Sequence, residues 1–271
     1  MSKNEQEHSQ RVIIGGIIND RKLEELYKSI ELGKSSFDIY IIAYLDFLGF
    51  SERMNSENSY ESLRILKFLL QGTITVADDI SRTNKIDDFD IKIFSDNIVI
   101  AQKADQGILG NQVFSMVNLI ASVQFYALMY FGFFMRGGIS IGELSIDSTV
   151  VWGTGLIDAY NIETDLANYP RIVLSNHLID EYNSSGQKEL NLYAFIKEDY
   201  DGLWFIDFLY AAPNLALLPV ESERLYEIVK PYTSSSDKVK QRVNWMINYF
   251  NTHCRKFKDR GDYEKYTLPY V

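Results

Sequence analysis

Hydrophobic and polar positions along the chain alternate between two periods, and the change from one to the other marks the elements. Asp38 to Asp46 is an apolar run rich in β-branched and aromatic residues, and it predicts a strand that ends in a carboxylate. Gly49-Phe50-Ser51 then turns into a helix. Tyr60 to about Ile80 repeats at helical spacing, with Leu63, Leu66, Leu70 and Ile74 on one face. Phe89 to Phe94 and Asn97 to Gln102 read as paired strands with Ser95-Asp96 at the hairpin tip. Gly110 to Tyr130 is apolar almost all round, which predicts a helix buried on more than one side and stopped by Gly132. Phe133 to Leu144 is a strand, Val150-Val151-Trp152 a short one, and Gly153-Thr154-Gly155 leads into a helix over Leu156 to Leu166. Arg171 to Leu174 is a further strand, with Ser175 or Asn176 capping the next helix.

Upstream, Met1 to Gln10 reads as a polar tail. Val12 to Ile18 fits a short strand or a packing segment, and Asp20 to Leu32 fits a helix with Asp20 as N-cap and Gly33 as stop. Downstream, the pattern gives strands over Leu192 to Ile196 and Leu203 to Leu209 around a turn at Asp201-Gly202. Two helices follow near Glu221 to Lys230 and Ser236 to Phe257, the last with Val239, Val243, Met246, Ile247 and Phe250 on one face. The central order is β-α-β-β-α-β, the split βαβ arrangement of an α+β, ferredoxin-like fold, with additional C-terminal strands and helices. Three segments result: a tail and helix over 1–37, a main domain over 38–210 and a helical extension over 211–271.

Composition narrows the function. A formal net charge of -10 argues against a nucleic-acid phosphate surface as the main partner. One cysteine, Cys254, rules out an intramolecular disulfide framework and points to a reducing compartment; its neighbours Arg255 and Lys256 are expected to lower its pKa. The first ten residues lack the apolar core of a signal peptide. The run around Phe125 to Phe134 is broken by Gly132 and followed by Arg136, so no membrane span is expected and the protein reads as soluble and cytoplasmic.

Chemistry concentrates on two aspartates. Asp46 ends one strand-forming run and Asp96 interrupts another. A carboxylate so placed costs several kcal/mol unless it is paired or hydrogen-bonded. Either each makes a structural hydrogen bond, or the two share a divalent cation, since hard cations take carboxylate oxygens. The backbone carbonyl of Phe47 can complete such a set. Leu48-Gly49-Phe50 exposes backbone N–H groups at a helix start, which suits a phosphate. Lys92 and Tyr44 share strand faces with Asp96 and Asp46. Lys92 is either a solvated strand lysine or a contact to a nucleobase, and Tyr44 either core or a wall of the base pocket. Arg136, before Gly137-Gly138, meets a carboxylate or a triphosphate. Glu163 and Arg171 are expected to pair with each other. The histidines are scattered without ligand spacing, and no P-loop, dinucleotide fingerprint or serine elbow occurs.

Four stretches in order carry a resemblance: Leu45-Asp46-Phe47-Leu48-Gly49-Phe50, Phe94-Ser95-Asp96-Asn97-Ile98, Arg136-Gly137-Gly138-Ile139-Ser140-Ile141-Gly142, and Trp152-Gly153-Thr154-Gly155-Leu156-Ile157-Asp158-Ala159-Tyr160, continued by Glu163 and Tyr169-Pro170-Arg171-Ile172. Over about Asp38 to Ser175 the chain resembles the class III nucleotidyl cyclases, and more closely the bacterial cyclic-pyrimidine-nucleotide cyclases of anti-phage Pycsar systems. The resemblance implies a homodimer with sites at its interface and two manganese or magnesium ions held by Asp46, Asp96 and the Phe47 carbonyl. The ribose 3′-hydroxyl of a nucleoside triphosphate would attack the α-phosphorus and release diphosphate. UTP is the expected substrate and CTP the alternative, and a separate cyclic-nucleotide effector protein is implied. Adenylate cyclases of this class carry an asparagine and an arginine four residues apart on the helix that here reads Leu156 to Glu163, and this helix has no arginine. Arg136 is the first candidate for that role. A purine cyclase and a non-catalytic nucleotide-binding dimer are the competing readings.

Overall fold

Alternation along the first strand, β1 (Asp38–Leu48), sets the architecture. Ile41, Ala43, Leu45 and Phe47 enter one core, whereas Tyr40, Ile42 and Tyr44 pack on the opposite side of the sheet. The structure, a computed structural model, describes residues 37–50, 59–147, 149–186, 191–211, 218–255 and 263–271, and Asp38–Val271 forms one compact unit. The expectations for residues 1–36 lie outside the described residues.

After β1 come α1 (Ser59–Asn84), β2 (Asp90–Phe94), β3 (Asn97–Lys103), α2 (Leu109–Phe131) and β4 (Phe134–Ile146). In the sheet these strands lie in the order β2-β3-β1-β4, each antiparallel to its neighbour. This is the split βαβ order that the sequence pattern predicts, and the fold is α+β. The sheet then continues through β6 (Ile172–Leu174), parallel to β4, to β8 (Trp204–Ile206) and β7 (Ile196–Glu198), while β5 (Val151–Trp152) pairs with the end of β4.

Helices α1 and α2 cover the face that carries Ile41 and Leu45. α2 has no charged residue, and by length and composition it could cross a membrane, contrary to the expectation that no run is long enough. In the fold, however, 72% of its most apolar window is buried, as in a core helix. α3 (Thr154–Asn161) lies on the other face and widens into a π-helical turn over Ile162–Leu166. It lies almost in contact with the sheet backbone. A Cβ on Gly138 would come within 2.2 Å of the Ala159 carbonyl, so only glycine fits there. The Ser140 hydroxyl donates to the Gly155 carbonyl at 2.6 Å and fixes the start of the helix.

Further helices follow, among them α4 (Asn176–Ser184), capped by the Ser175 hydroxyl accepting from the Leu178 amide at 3.0 Å, then α5 (Leu218–Val229) and α6 (Asp237–Arg255). Two strand expectations need correction. Leu192–Ala194 is a 3₁₀ turn, drawn inward by the buried Leu192 and held by its amide donating to the Tyr182 hydroxyl, and the strand begins only at Ile196. The strand expected over Leu203 to Leu209 ends at Ile206. There the Asp207 amide donates to the Phe195 carbonyl and its carboxylate accepts from Tyr249, and the chain turns into a short helical segment at Phe208–Ala211.

Candidate active site

On the face opposite α1 and α2, strand register lays side chains out in rows. One row runs Phe94–Asn97–Asp46–Arg136 across β2, β3, β1 and β4; the next runs Lys92–Val99–Tyr44–Gly138. Asp46 therefore stands directly between Asn97 and Arg136. Asp96 sits in the two-residue turn between β2 and β3, where Ser95 takes a positive φ of 60°. That turn is tied to β1 by the Phe47 amide, which donates to the Asp96 carbonyl at 3.3 Å. Gly49, at φ 76°, turns the chain directly after Leu48. The sequence-predicted residues Tyr44, Asp46, Phe47, Leu48, Gly49, Phe50, Asp96 and Arg136 thus cluster about the ends of β1, β3 and β4.

Arg136 donates its Nε–H to Asp46 Oδ2 at 3.0 Å, and the same nitrogen lies 2.7 Å from Glu163 Oε1. Asp46 receives the hydrogen bond, and the buried Glu163 Oε1 receives charge without one. Glu163 enters from the π-helical turn after α3, and its Oε2 accepts from the Thr164 hydroxyl at 3.0 Å. Burial pushes the Glu163 carboxyl above the ordinary range, and the Arg136 charge only partly offsets this. The expected Glu163–Arg171 pair does not form. Arg171 is fully buried and instead pairs with Asp199 and Asp201 on the turn between β7 and β8, whose two carboxylates offset the burial of its charge.

Tyr44 stands in the row next to Asp46 and Arg136. Its hydroxyl is pushed above the usual value by burial first, then by the charges of Glu163, Asp46, Tyr160 and Asp96. Tyr160, on α3, packs edge-on against Tyr44 at 5.4 Å. Lys92 is in the row beside Tyr44, and its charge helps to hold the Asp147 carboxyl down, although hydrogen bonds from the Thr149 and Val150 amides do more.

Two site residues escaped the sequence reading in their roles. Local spacing points Glu163 to Arg171, whereas the structure pairs it with Arg136. Arg242, on α6, belongs to no motif. Yet it stands at helical spacing from Val239, Trp245 and Met246, so an arginine on an apolar stripe was the available signal.

Among the described residues no group of three or more His, Cys, Asp or Glu forms a metal cage. The donor set of Asp46, Asp96 and the Phe47 carbonyl still suits a hard divalent cation. No described residue hydrogen-bonds Asp46 Oδ1, and the Asp96 carboxylate accepts only a long 3.5 Å bond from Asn97.

No protein-family profile matches the chain, and no curated protein does. Among solved structures, the crystal structure of the guanylyl cyclase Cya2 overlaps with a TM-score of 0.39 at 13% identity, over 64% of this chain and 93% of that one. A bacterial light-regulated adenylyl cyclase overlaps with a TM-score of 0.36 at 11% identity, over 82% of this chain and 70% of that one. Overlaps this loose do not fix the family, and the reading of the site rests on its residues.

Proposed function

We propose that the chain is a metal-dependent nucleotidyl cyclase that closes UTP to 3′,5′-cyclic UMP and releases diphosphate. The observation that carries this reading is the pairing of Asp46 and Glu163 with Arg136 at one end of a split βαβ sheet, with Asp96 in the turn tied to Phe47. Asp46, Asp96 and the Phe47 carbonyl would hold two manganese or magnesium ions, which would supply acidification of the ribose 3′-hydroxyl and neutralisation of charge on the phosphates. Arg136 fixes the Asp46 carboxylate through Oδ2 and leaves Oδ1 facing the site. The backbone amides of Leu48, Gly49 and Phe50 receive phosphate oxygens. Tyr44 and Lys92 border the base. Supporting the substrate choice is the sequence resemblance to bacterial cyclic-pyrimidine cyclases. On the same ground the product serves as an antiviral second messenger read by a separate effector protein, and the enzyme works as a homodimer. CTP is the alternative substrate, and then a purine triphosphate.

One observation favours a second reading. Asp46 is already neutralised by Arg136, as in a module that binds nucleotide without turning it over. Purified protein incubated with manganese and each of ATP, GTP, CTP and UTP, with mass-spectrometric identification of products, separates the two. Cyclic UMP is expected, and Asp46→Ala and Asp96→Ala are each expected to lower its formation by about a thousandfold or more. Cyclic nucleotide that survives both substitutions would overturn the metal-site assignment. Binding without product from any of the four would favour the module.

A further inference from the structure

Arg242 presents a guanidinium half-buried beside the site, on a helix that the strand rows do not include. Its Nε–H donates to the Asn168 carbonyl at 3.2 Å, just past the turn that delivers Glu163. Among the described residues no carboxylate lies within ion-pair distance of it, and its two terminal nitrogens have no hydrogen-bond partner. Asn168 lies between the turn that carries Glu163 and Arg171, whose carbonyl accepts from the Gly137 amide beside Arg136, so this contact sets Arg242 at the border of the site. Burial first, and then the like charge of Arg136, pull its pKa below the usual value. A half-buried guanidinium without a carboxylate of its own is stabilised by an anion.

The helix that carries Arg242 is anchored firmly. One turn on, the Trp245 indole N–H donates to Asp199 Oδ2 at 2.8 Å, and Asp199 is itself paired with the buried Arg171. The Tyr169 ring stacks on Trp245 at 5.8 Å. A further turn on, the Tyr249 hydroxyl donates to Asp207 at 2.6 Å. With the backbone fixed on one side and Nε on Asn168, the fork of Arg242 is pre-organised, as bidentate recognition of phosphate requires.

We propose that Arg242, from the C-terminal helix α6, binds the phosphates of the nucleotide at this site and supplies the cationic contact that the helix over Leu156 to Glu163 lacks. The proposal rests on the site holding a nucleoside triphosphate, and binding tests it separately from turnover. Titration calorimetry of the full chain with UTP and with inorganic pyrophosphate, in EDTA and again with manganese, is expected to show both ligands bound by wild type. Arg242→Met keeps the packing of the stem and removes the fork. It is expected to weaken both ligands by about tenfold to a hundredfold with the melting temperature preserved. Arg242→Lys keeps a charge and is expected to fall between the two. Wild-type affinity for pyrophosphate in a folded Arg242→Met or Arg242→Lys protein overturns the proposal. So does a wild type that binds neither ligand. A wild type that binds UTP through Arg242 but forms no cyclic product from any of the four triphosphates leaves this assignment standing and overturns the cyclase reading instead.

Discussion

Charge at the site cancels unevenly from residue to residue. Arg136 is 21% exposed in its side chain and faces two carboxylates, Asp46 at 17% and Glu163 at 4%. Removing one partner from a pair this enclosed costs about 3–5 kcal/mol, because the remaining charge is left in a poorly solvated place. That cost argues that the cluster holds its geometry for a ligand that brings charge of its own. Cys254 shows the opposite use of burial. The expectation that Arg255 and Lys256 lower its pKa is corrected by the structure: the thiol is fully buried, and burial together with the nearby Glu221 charge pushes it up to about 11. A raised thiol pKa adds stability that is complete below the unfolded value near 9.0 and disappears as pH climbs through about 11. Melting curves are therefore expected to show Cys254→Ala gaining on wild type between these two pH values and not below them. At pH 8, iodoacetamide is expected to label Cys254 only after the fold is opened with urea.

Among elements, the contact between α3 and β4 decides whether Glu163 reaches Arg136 at all. Gly138→Ala would place a methyl 2.2 Å from the Ala159 carbonyl and against Ile162. Backbone atoms stand in the way, so the helix must move. The expected result is a loss of about 1–3 kcal/mol in chemical denaturation, the scale of overpacking in a filled core. Formation of the proposed cyclic product is expected to fall further than stability, since the displaced element carries Glu163. The core elements were legible in the sequence wherever one period ran uninterrupted. Asp38–Leu48, the hairpin around Ser95-Asp96 and α2 follow the apolar pattern to within a residue or two. The row Asn97–Asp46–Arg136 follows from strand register, which fixes faces once the hairpin is known. What could not be read was partner choice over distance. Glu163 and Arg171 are close in sequence, but Arg171 is drawn to Asp199 and Asp201 by a turn nearly thirty residues on. Arg242 is about eighty residues from Glu163, and no local pattern links the two. The strand expected at Leu192 failed because an apolar run of that length suits a buried 3₁₀ turn equally well.

Across the whole molecule, the sheet is covered unequally, and this bears on assembly. α1 and α2 pack on one face with the later helices, and on the other α3 packs over β1 and β4. Phe94 stands at the end of the Asp46 row with 54% of its surface exposed, and Ile157 on α3 is 49% exposed. Apolar side chains that border a site on an uncovered sheet face suit a two-fold interface, in which the same patch meets itself and closes both sites at once. A stable pairing of this kind buries roughly 1,200–2,000 Å². Sedimentation at micromolar concentration is expected to show a dimer for wild type. Ile157→Asp and Phe94→Asp are expected to give monomers, because a carboxylate placed in an apolar two-fold contact meets its own copy across the axis. If the sites are completed across that interface, both variants lose product formation while keeping wild-type melting temperatures. A variant that stays dimeric would place the pairing surface elsewhere, and one that becomes monomeric with full activity would show that each protomer holds a complete site.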